Sequence, residues 1–183
     1  MKITKTNLND CFVIENKIYK DNRGLFMETY QKKRFEEKLG FKVEFVQDNF
    51  SLSTKGVLRG LHFQNKFPQG KLIRVLKGKV FDVVVDIRED SSTFGSYFYL
   101  ELSDENNLQL WVPEGFAHGF LSLTNESYFE YKCTNYYNKE DEKTIFWKDP
   151  DLNIPWPNDI KITTSDKDEN AESFKKLFPR KKT

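Results

Sequence analysis

The amino-acid sequence predicts an all-β barrel or sandwich. Past residue 70 the chain breaks into short runs rich in Val, Ile, Tyr and Phe. Turn signals separate those runs every ~8–12 residues, and helical stretches are sparse. A length of 183 residues suits one domain, spanning 1–183, with a sizeable core. Hydrophobic residues at 38% and charged residues at 31% describe a globular chain rather than a disordered one.

The elements follow in chain order. QKKRFEEKL (31–39) reads as a short polar helix stopped by Gly40. LIRVL (72–76) and KVFDVVVDI (79–87) are β-branched runs around Gly78, which predicts a hairpin. YFYLEL (97–102), LQLWV (108–112), GFLSL (119–123) and YFEYKCTNYY (128–137) read as further strands, punctuated by SDEN, PEG and TNE. Pro150, Pro155 and Pro157 mark a late irregular segment, and NAESFKKL (170–177) reads as a closing helix. The helices are therefore few, short and confined to the N-terminal and C-terminal parts. No internal repeat, low-complexity stretch or linker interrupts the pattern.

Composition excludes several classes of function. With 29 basic and 28 acidic residues the net charge is +1, which gives no argument for nucleic acid or a membrane surface as partner. No apolar run approaches the ~18 residues of a membrane span. The opening MKITKTNLND lacks the apolar core of a secretory signal. Cys11 and Cys133 lie far apart and outside any CxxC spacing. Two such thiols suit a reducing cytoplasm, where they are expected to be buried and idle.

The chain has two histidines, His62 in VLRGLHFQ (57–64) and His118 in VPEGFAHGF (112–120). The P-x-G-x-x-H spacing of residues 113–118 is similar to the second motif of cupins, small barrels of the jelly-roll type. Metal-binding cupins add an H-x-H and a downstream carboxylate. Here the matching string is His62-Phe63-Gln64, and Lys71 occupies the carboxylate position. Zinc and iron sites want two or three histidines plus a carboxylate, so two imidazoles beside an ammonium make a poor ligand set. No metal ligand is expected. Taken alone, the two histidines also fit as hydrogen-bonded core residues.

Other polar groups gather around them. Arg59, His62, Gln64 and Lys71 sit among apolar neighbours, as residues lining a polar cavity would. An arginine fork suits a diphosphate, and a second one, Arg23, lies on the glycine turn of DNRGLF (21–26). Alternation along 128–137 puts Phe129, Tyr131, Cys133, Asn135 and Tyr137 on one face and Tyr136 on the other. Parity also separates Arg59 from His62, so both reach one pocket only if the strand bulges near Gly60. TTSDKD (163–168) can supply an aspartate to a histidine if it folds over the barrel.

Together these strings resemble the dTDP-4-dehydrorhamnose 3,5-epimerases, members of the cupin superfamily that work without a metal. The resemblance spans nearly the whole chain. It includes DNRGLF, QDNFSLSTKGVLRGLHFQ (47–64), QGKLIRVLKGKVFDVVVDIR (69–88), STFG (92–95), LWVPEGFAHGF (110–120), YKCTNYY (131–137), DPDLNIPWP (149–157) and SDKD (165–168). It implies a jelly-roll β-barrel, a homodimer and no cofactor. The implied reaction is epimerisation at C3 and C5 of dTDP-4-dehydro-6-deoxy-D-glucose, giving dTDP-4-dehydro-L-rhamnose for surface polysaccharide. By position, His62 matches the base and Asp168 the group that orients it. Tyr131 matches the acid on the opposite face, and Lys71 the residue set against the C4 carbonyl. Arg23, Glu28, Gln47, Asp48, Asn49, Arg59, His118, Glu142 and Lys167 match substrate-contacting positions. Tyr19, from the partner subunit, and Tyr137, with Tyr136 as the alternative, match the rings that stack on thymine. The chain departs from the family pattern at Tyr19, where phenylalanine is common, and at Phe50, where histidine occurs in some relatives.

The implied chemistry suits these side chains. A C4 ketone acidifies the hydrogens on C3 and C5. Inversion then needs a base on one face, an acid on the other and a positive charge at the enolate oxygen. Imidazole, phenol and ammonium supply them without a redox group.

Overall fold

A computed structural model describes residues 1–179 of the protein. Its strands are β1 (Lys2–Lys5), β2 (Phe12–Glu15), β3 (Ile18–Asp21), β4 (Gly24–Met27), β5 (Gln47–Ser53), β6 (Leu58–Gln64) and β7 (Lys71–Lys77). β8 (Lys79–Asp86), β9 (Tyr97–Ser103), β10 (Leu108–Val112), β11 (Phe116–Ser122), β12 (Ser127–Cys133) and β13 (Glu142–Thr144) complete the set. The helices are α1 (Lys32–Leu39), α2 (Asp166–Glu169) and α3 (Phe174–Leu177). One sheet runs β1-β2-β10-β7-β12-β5 and the other β13-β6-β11-β8-β9. Their strands pair antiparallel and the two sheets pack face to face, which is the expected jelly roll.

Gly78 does not close a hairpin. β7 pairs with β10 and β12, whereas β8 pairs with β9 and β11, so the chain crosses from one sheet to the other at that glycine. Its φ is +78°, and a Cβ there would lie 2.1 Å from the Glu126 carbonyl oxygen. A tight glycine turn between two β-branched runs looks alike in a hairpin and in a crossing. Only the distant partners decide between them.

Other boundaries also shift. The 128–137 strand ends at Cys133. The helix expected over 170–177 is instead one turn at Phe174–Leu177, preceded by the separate turn α2. Ser165 caps α2, its side chain accepting the Asp168 N–H at 3.2 Å. α1 is capped at its start by Gln31, whose side chain accepts from Arg34 N, and is stopped, as expected, by Gly40 in the left-handed region.

The run KVFDVVVDI is apolar on both faces because both are buried. Val80 and Val84 point between the sheets, with Ile73, Leu110 and Phe129. Val83 and Val85 point outward, under Ile145, Leu152 and Phe174 from the late irregular segment and tail. On the other sheet, α1 lays Phe35 against Ile14, Leu72 and Trp111. With both outer faces largely covered, the space between the sheets opens at one end, and that end holds the polar side chains.

The β3–β4 pair forms its own two-stranded sheet, joined to neither wall. Tyr19 and Phe26 on it are 53% and 69% exposed. No helix among the described residues is long and apolar enough to cross a membrane.

Candidate active site

The open end of the barrel is a cleft of about 280 Å³ lined from both sheets. β6 and β11 contribute Arg59, His62, Gln64 and His118, and β7 and β12 contribute Lys71 and Tyr131.

The parity conflict between Arg59 and His62 is resolved by a bulge. From Arg59 to His62 β6 advances three residues, while β11 advances two, from Phe120 back to His118. The extra residue turns both side chains to the cleft. It sits at Gly60, whose φ is +138° and whose Cβ, if present, would lie 2.5 Å from the Gly119 Cα. No other residue fits there. The Gly60 N–H donates to Asp168 Oδ2 at 3.3 Å.

Asp168 is thereby bound to the bulge twice. Its Oδ1 meets His62 Nε2 at 2.6 Å, and the carboxylate is buried. Burial pushes this carboxyl up, but the His62 bond and charge, the Gly60 N–H and the Lys167 charge outweigh it, so its pKa lies below the usual range. An ionised carboxylate only accepts, so the proton facing it sits on Nε2, and in the neutral imidazole the lone pair is on Nδ1. The expectation that TTSDKD folds over the barrel to reach a histidine is met through α2.

His118 faces His62 across the β6–β11 ladder and has its own carboxylate, Asp82 Oδ2, 3.0 Å from Nε2. Both are buried. Burial pulls the His118 imidazole down more strongly than Asp82 lifts it, and the Lys71 charge lowers it further, so it stays neutral. Asp82 was missed from sequence. Its signal was an acid at the inward parity of a valine-rich strand, in step with Val80 and Val84.

Lys71 is buried, and among the described residues its ammonium has no hydrogen bond or ion pair. Burial pulls its pKa down, opposed by Cys133, Asp82 and Glu142. Its Nζ stands 5.8 Å from the centre of the Tyr131 ring. Burial, with Cys133 and Glu142 nearby, pushes the Tyr131 phenol up to about 12, so it holds its proton. A sheltered ammonium beside a protonated phenol forms a site ready for an anionic oxygen and a proton demand.

Gln64 is no ligand. Its amide donates to the carbonyls of Phe67 and Tyr136 at 2.6 and 3.1 Å and accepts from Asn138 N at 2.7 Å. It clamps the loop that carries Tyr137. Among the described residues, no group of three His, Cys, Asp or Glu side chains could hold a metal ion. Cys11 and Cys133 are both free and buried.

The remaining predicted residues divide. Asn49 lines the cleft and donates to Cys133 Sγ at 3.4 Å. Gln47 accepts from Tyr137 N at 2.9 Å and donates to Asn49. Arg59 keeps Nε on Ser53 Oγ at 3.0 Å. Tyr137 and Glu142 line the mouth, and Tyr136 does not. Asp48 turns to the outer face of β5, by strand parity, and pairs there with Lys132. Arg23 and Tyr19 stay on the β3–β4 hairpin, away from the cleft of their own chain, and Glu28 pairs with Arg34 on α1. Lys167 pairs with Glu142 at 2.7 Å.

Comparison with known proteins gives a consistent result. Residues 5–176 match the family model described as dTDP-4-dehydrorhamnose 3,5-epimerase. The dTDP-4-dehydrorhamnose 3,5-epimerase of Shigella flexneri is 53% identical over 95% of this chain and 96% of its own length. The 3,5-epimerase of Legionella pneumophila, solved with dTDP-4-keto-L-rhamnose, is 49% identical, covers 100% of this chain and 99% of its own, and superposes with a TM-score of 0.92. A 3'-monoepimerase of Streptomyces bikiniensis, solved with dTDP-quinovose, is 33% identical over 92% of this chain and 85% of its own, with a TM-score of 0.87.

Proposed function

The chain belongs to the dTDP-4-dehydrorhamnose 3,5-epimerase family, and we propose that its cleft performs that epimerisation with His62 as base, Tyr131 as acid and Lys71 at the enolate oxygen. The substrate is dTDP-4-dehydro-6-deoxy-D-glucose and the product dTDP-4-dehydro-L-rhamnose. One observation carries the assignment of roles: His62 stands on one sheet and Tyr131 on the other, across a single cleft. A sugar ring lying between them presents one face to each.

His62 Nδ1 removes the proton from C3 or C5, and the electron pair moves into the C4 carbonyl. Lys71 meets the negative charge that forms on its oxygen. Tyr131 returns a proton to the carbon from the opposite face, inverting it, and the phenolate regains a proton from solvent. His62 releases its own proton before the second carbon reacts. Asp168 keeps the base in one tautomer throughout. Every step uses side chains of this chain, so the mechanism calls for no metal or redox group. Arg59 suits the diphosphate and the neutral His118 an uncharged substrate hydroxyl.

The active species is a homodimer. The β3–β4 hairpin supports this reading, since it is bonded to neither sheet and exposes Tyr19 and Phe26. Seated on a second copy, it brings Tyr19 opposite Tyr137 and Arg23 to the diphosphate. The enzyme is cytoplasmic and its 183 residues act as one domain; two unpaired thiols suit that compartment. The product identified by NMR from dTDP-4-dehydro-6-deoxy-D-glucose tests the assignment. Inversion at both carbons is expected. Inversion at one carbon would place the chain with the monoepimerase instead, and tight binding without turnover would make it a sugar-binding cupin.

A further inference from the structure

We propose that Glu142 couples the seat of the nucleotide base to the catalytic dyad, and that Lys167 serves the reaction as a positioning residue acting through α2. This rests on the function proposed above. One carboxylate oxygen, Glu142 Oε2, accepts from Tyr137 Oη at 3.0 Å and from Lys167 Nζ at 2.7 Å. The Tyr137 ring lines the mouth of the cleft, where a base can stack. Lys167 directly precedes Asp168, the residue that holds His62. A short path of bonds therefore runs from the stacking ring to the base.

The backbone shows why such a tie is needed. β13 has three residues and α2 is a single turn, and neither holds its shape in isolation. β13 lies beside β6, with Glu142 opposite Gln64 and Thr144 opposite His62. α2 is tethered on its other sides by the Val57–Thr163 bridge and by Glu169, which accepts from Trp147 Nε1 at 3.3 Å and Thr164 Oγ1 at 2.8 Å. The Lys167 bridge adds to the Asp168–His62 pair a second charged link from α2 to this sheet, at the strand that follows the Tyr137 loop.

Protonation states favour both bonds. Burial pushes the Glu142 carboxyl up, but the Lys167 bond and the His62 charge outweigh it and hold it below the usual range. Burial and Glu142 push the Tyr137 phenol up, so it remains a donor. Lys167 has a side chain 51% exposed, and an exposed ion pair contributes little to folding stability. Its effect belongs in the geometry of α2. A base stacked on Tyr137 orders the ring, the ring fixes Glu142, and Glu142 fixes the segment behind Asp168. The nucleotide then raises kcat as well as lowering KM.

Two variants of the full-length protein separate this from direct substrate contact. Tyr137→Phe keeps the ring and removes Oη. Lys167→Met keeps the stem and removes the charge. Each is expected to lower kcat for C3 and C5 exchange about 10-fold, as loss of a group orienting a catalytic histidine does. The dissociation constant of dTDP, read by calorimetry, should stay within about twofold, since stacking and diphosphate contacts remain. Lys167→Arg should restore most of kcat, and the double variant should lose no more than the worse single one. Weakened dTDP binding with unchanged kcat would overturn the proposal and make Lys167 a phosphate contact. Multiplicative losses in the double variant would overturn the coupling. Amide hydrogen exchange gives a readout independent of turnover. Binding of dTDP should slow exchange at 166–169 in the wild type and not in Lys167→Met; equal slowing in both refutes the tie even if the proposed reaction itself fails.

Discussion

The two histidine–carboxylate pairs invite comparison, because they are alike at the bond and different in mounting. Both imidazoles reach a carboxylate through Nε2, and they face each other across one ladder. Asp82 belongs to β8, in the same sheet as its histidine, and is fully buried. Asp168 arrives from 106 residues away on a single-turn helix at the surface. The side chain of His118 is 7% exposed and that of His62 is 27%. The bond alone therefore does not make a base. A base must also exchange its proton with water after each abstraction, and only His62 is placed to do so. His118 is a fixed neutral group that shapes the cleft.

Substitutions at the two pairs test that contrast. The largest effect is expected from His62→Ala, which should abolish deuterium exchange at both carbons, a loss on the order of 10³-fold or more. His118→Ala should leave measurable exchange and act mainly on KM; an equal loss of kcat would erase the distinction. Next comes Asp168→Asn, expected to lower kcat on the order of 10²-fold through loss of the tautomer, against less than about 10-fold for Asp82→Asn. Steady-state kinetics on the two variants decides. Tyr131→Phe should slow inversion more than initial proton removal, read as the ratio of product formed to deuterium washed in. Equal losses would contradict its role as acid.

The smallest effect is on stability. The folded pKa of His118 is depressed, so the unfolded chain binds the extra proton first. Stability is therefore fully present above the ordinary imidazole value of ~6.5 and declines as pH falls through and below it. The Asp168 carboxyl is also depressed, and its contribution is present above ~3.9 and lost only below that. Denaturant midpoints at pH 7, 5 and 3 should separate the two windows, and His118→Gln should flatten the first while leaving the second.

The comparison also marks how much the sequence disclosed. Strands β7, β8, β10 and β11 were legible because they are largely buried on both faces, which leaves apolar runs. β1 to β4 were not, each being only four residues long, with β1, β3 and β4 largely exposed. Lys71 was legible as a polar residue among apolar neighbours, but the choice of Asp168 within TTSDKD came from the family resemblance, since nothing local says which carboxylate of a charged tail folds back over a barrel. Asp82 was overlooked because an acid within KVFDVVVDI, which also holds Asp86, reads as strand composition. Strand parity held where pairing is regular, turning Asn49 and Tyr131 to the cleft, whereas Tyr137 reaches the mouth from a loop beyond the strand end at Cys133. It failed at Arg59 and His62, where a bulge inserts one residue, yet the conflict itself pointed to Gly60. The position of Gly78 as a crossing lay beyond local sequence, because pairing with distant strands determines it.

In the proposed mechanism one base, His62, and one acid, Tyr131, act from opposite sheets on both carbons flanking the ketone. Incubation of the purified protein with dTDP-4-dehydro-6-deoxy-D-glucose in deuterium oxide, followed by NMR of the sugar, tests it most directly. Deuterium is expected at C3 and at C5 with inversion of both in the wild type, and at neither in His62→Ala. Wild-type exchange absent from both carbons, or exchange persisting at either carbon in His62→Ala, would contradict it.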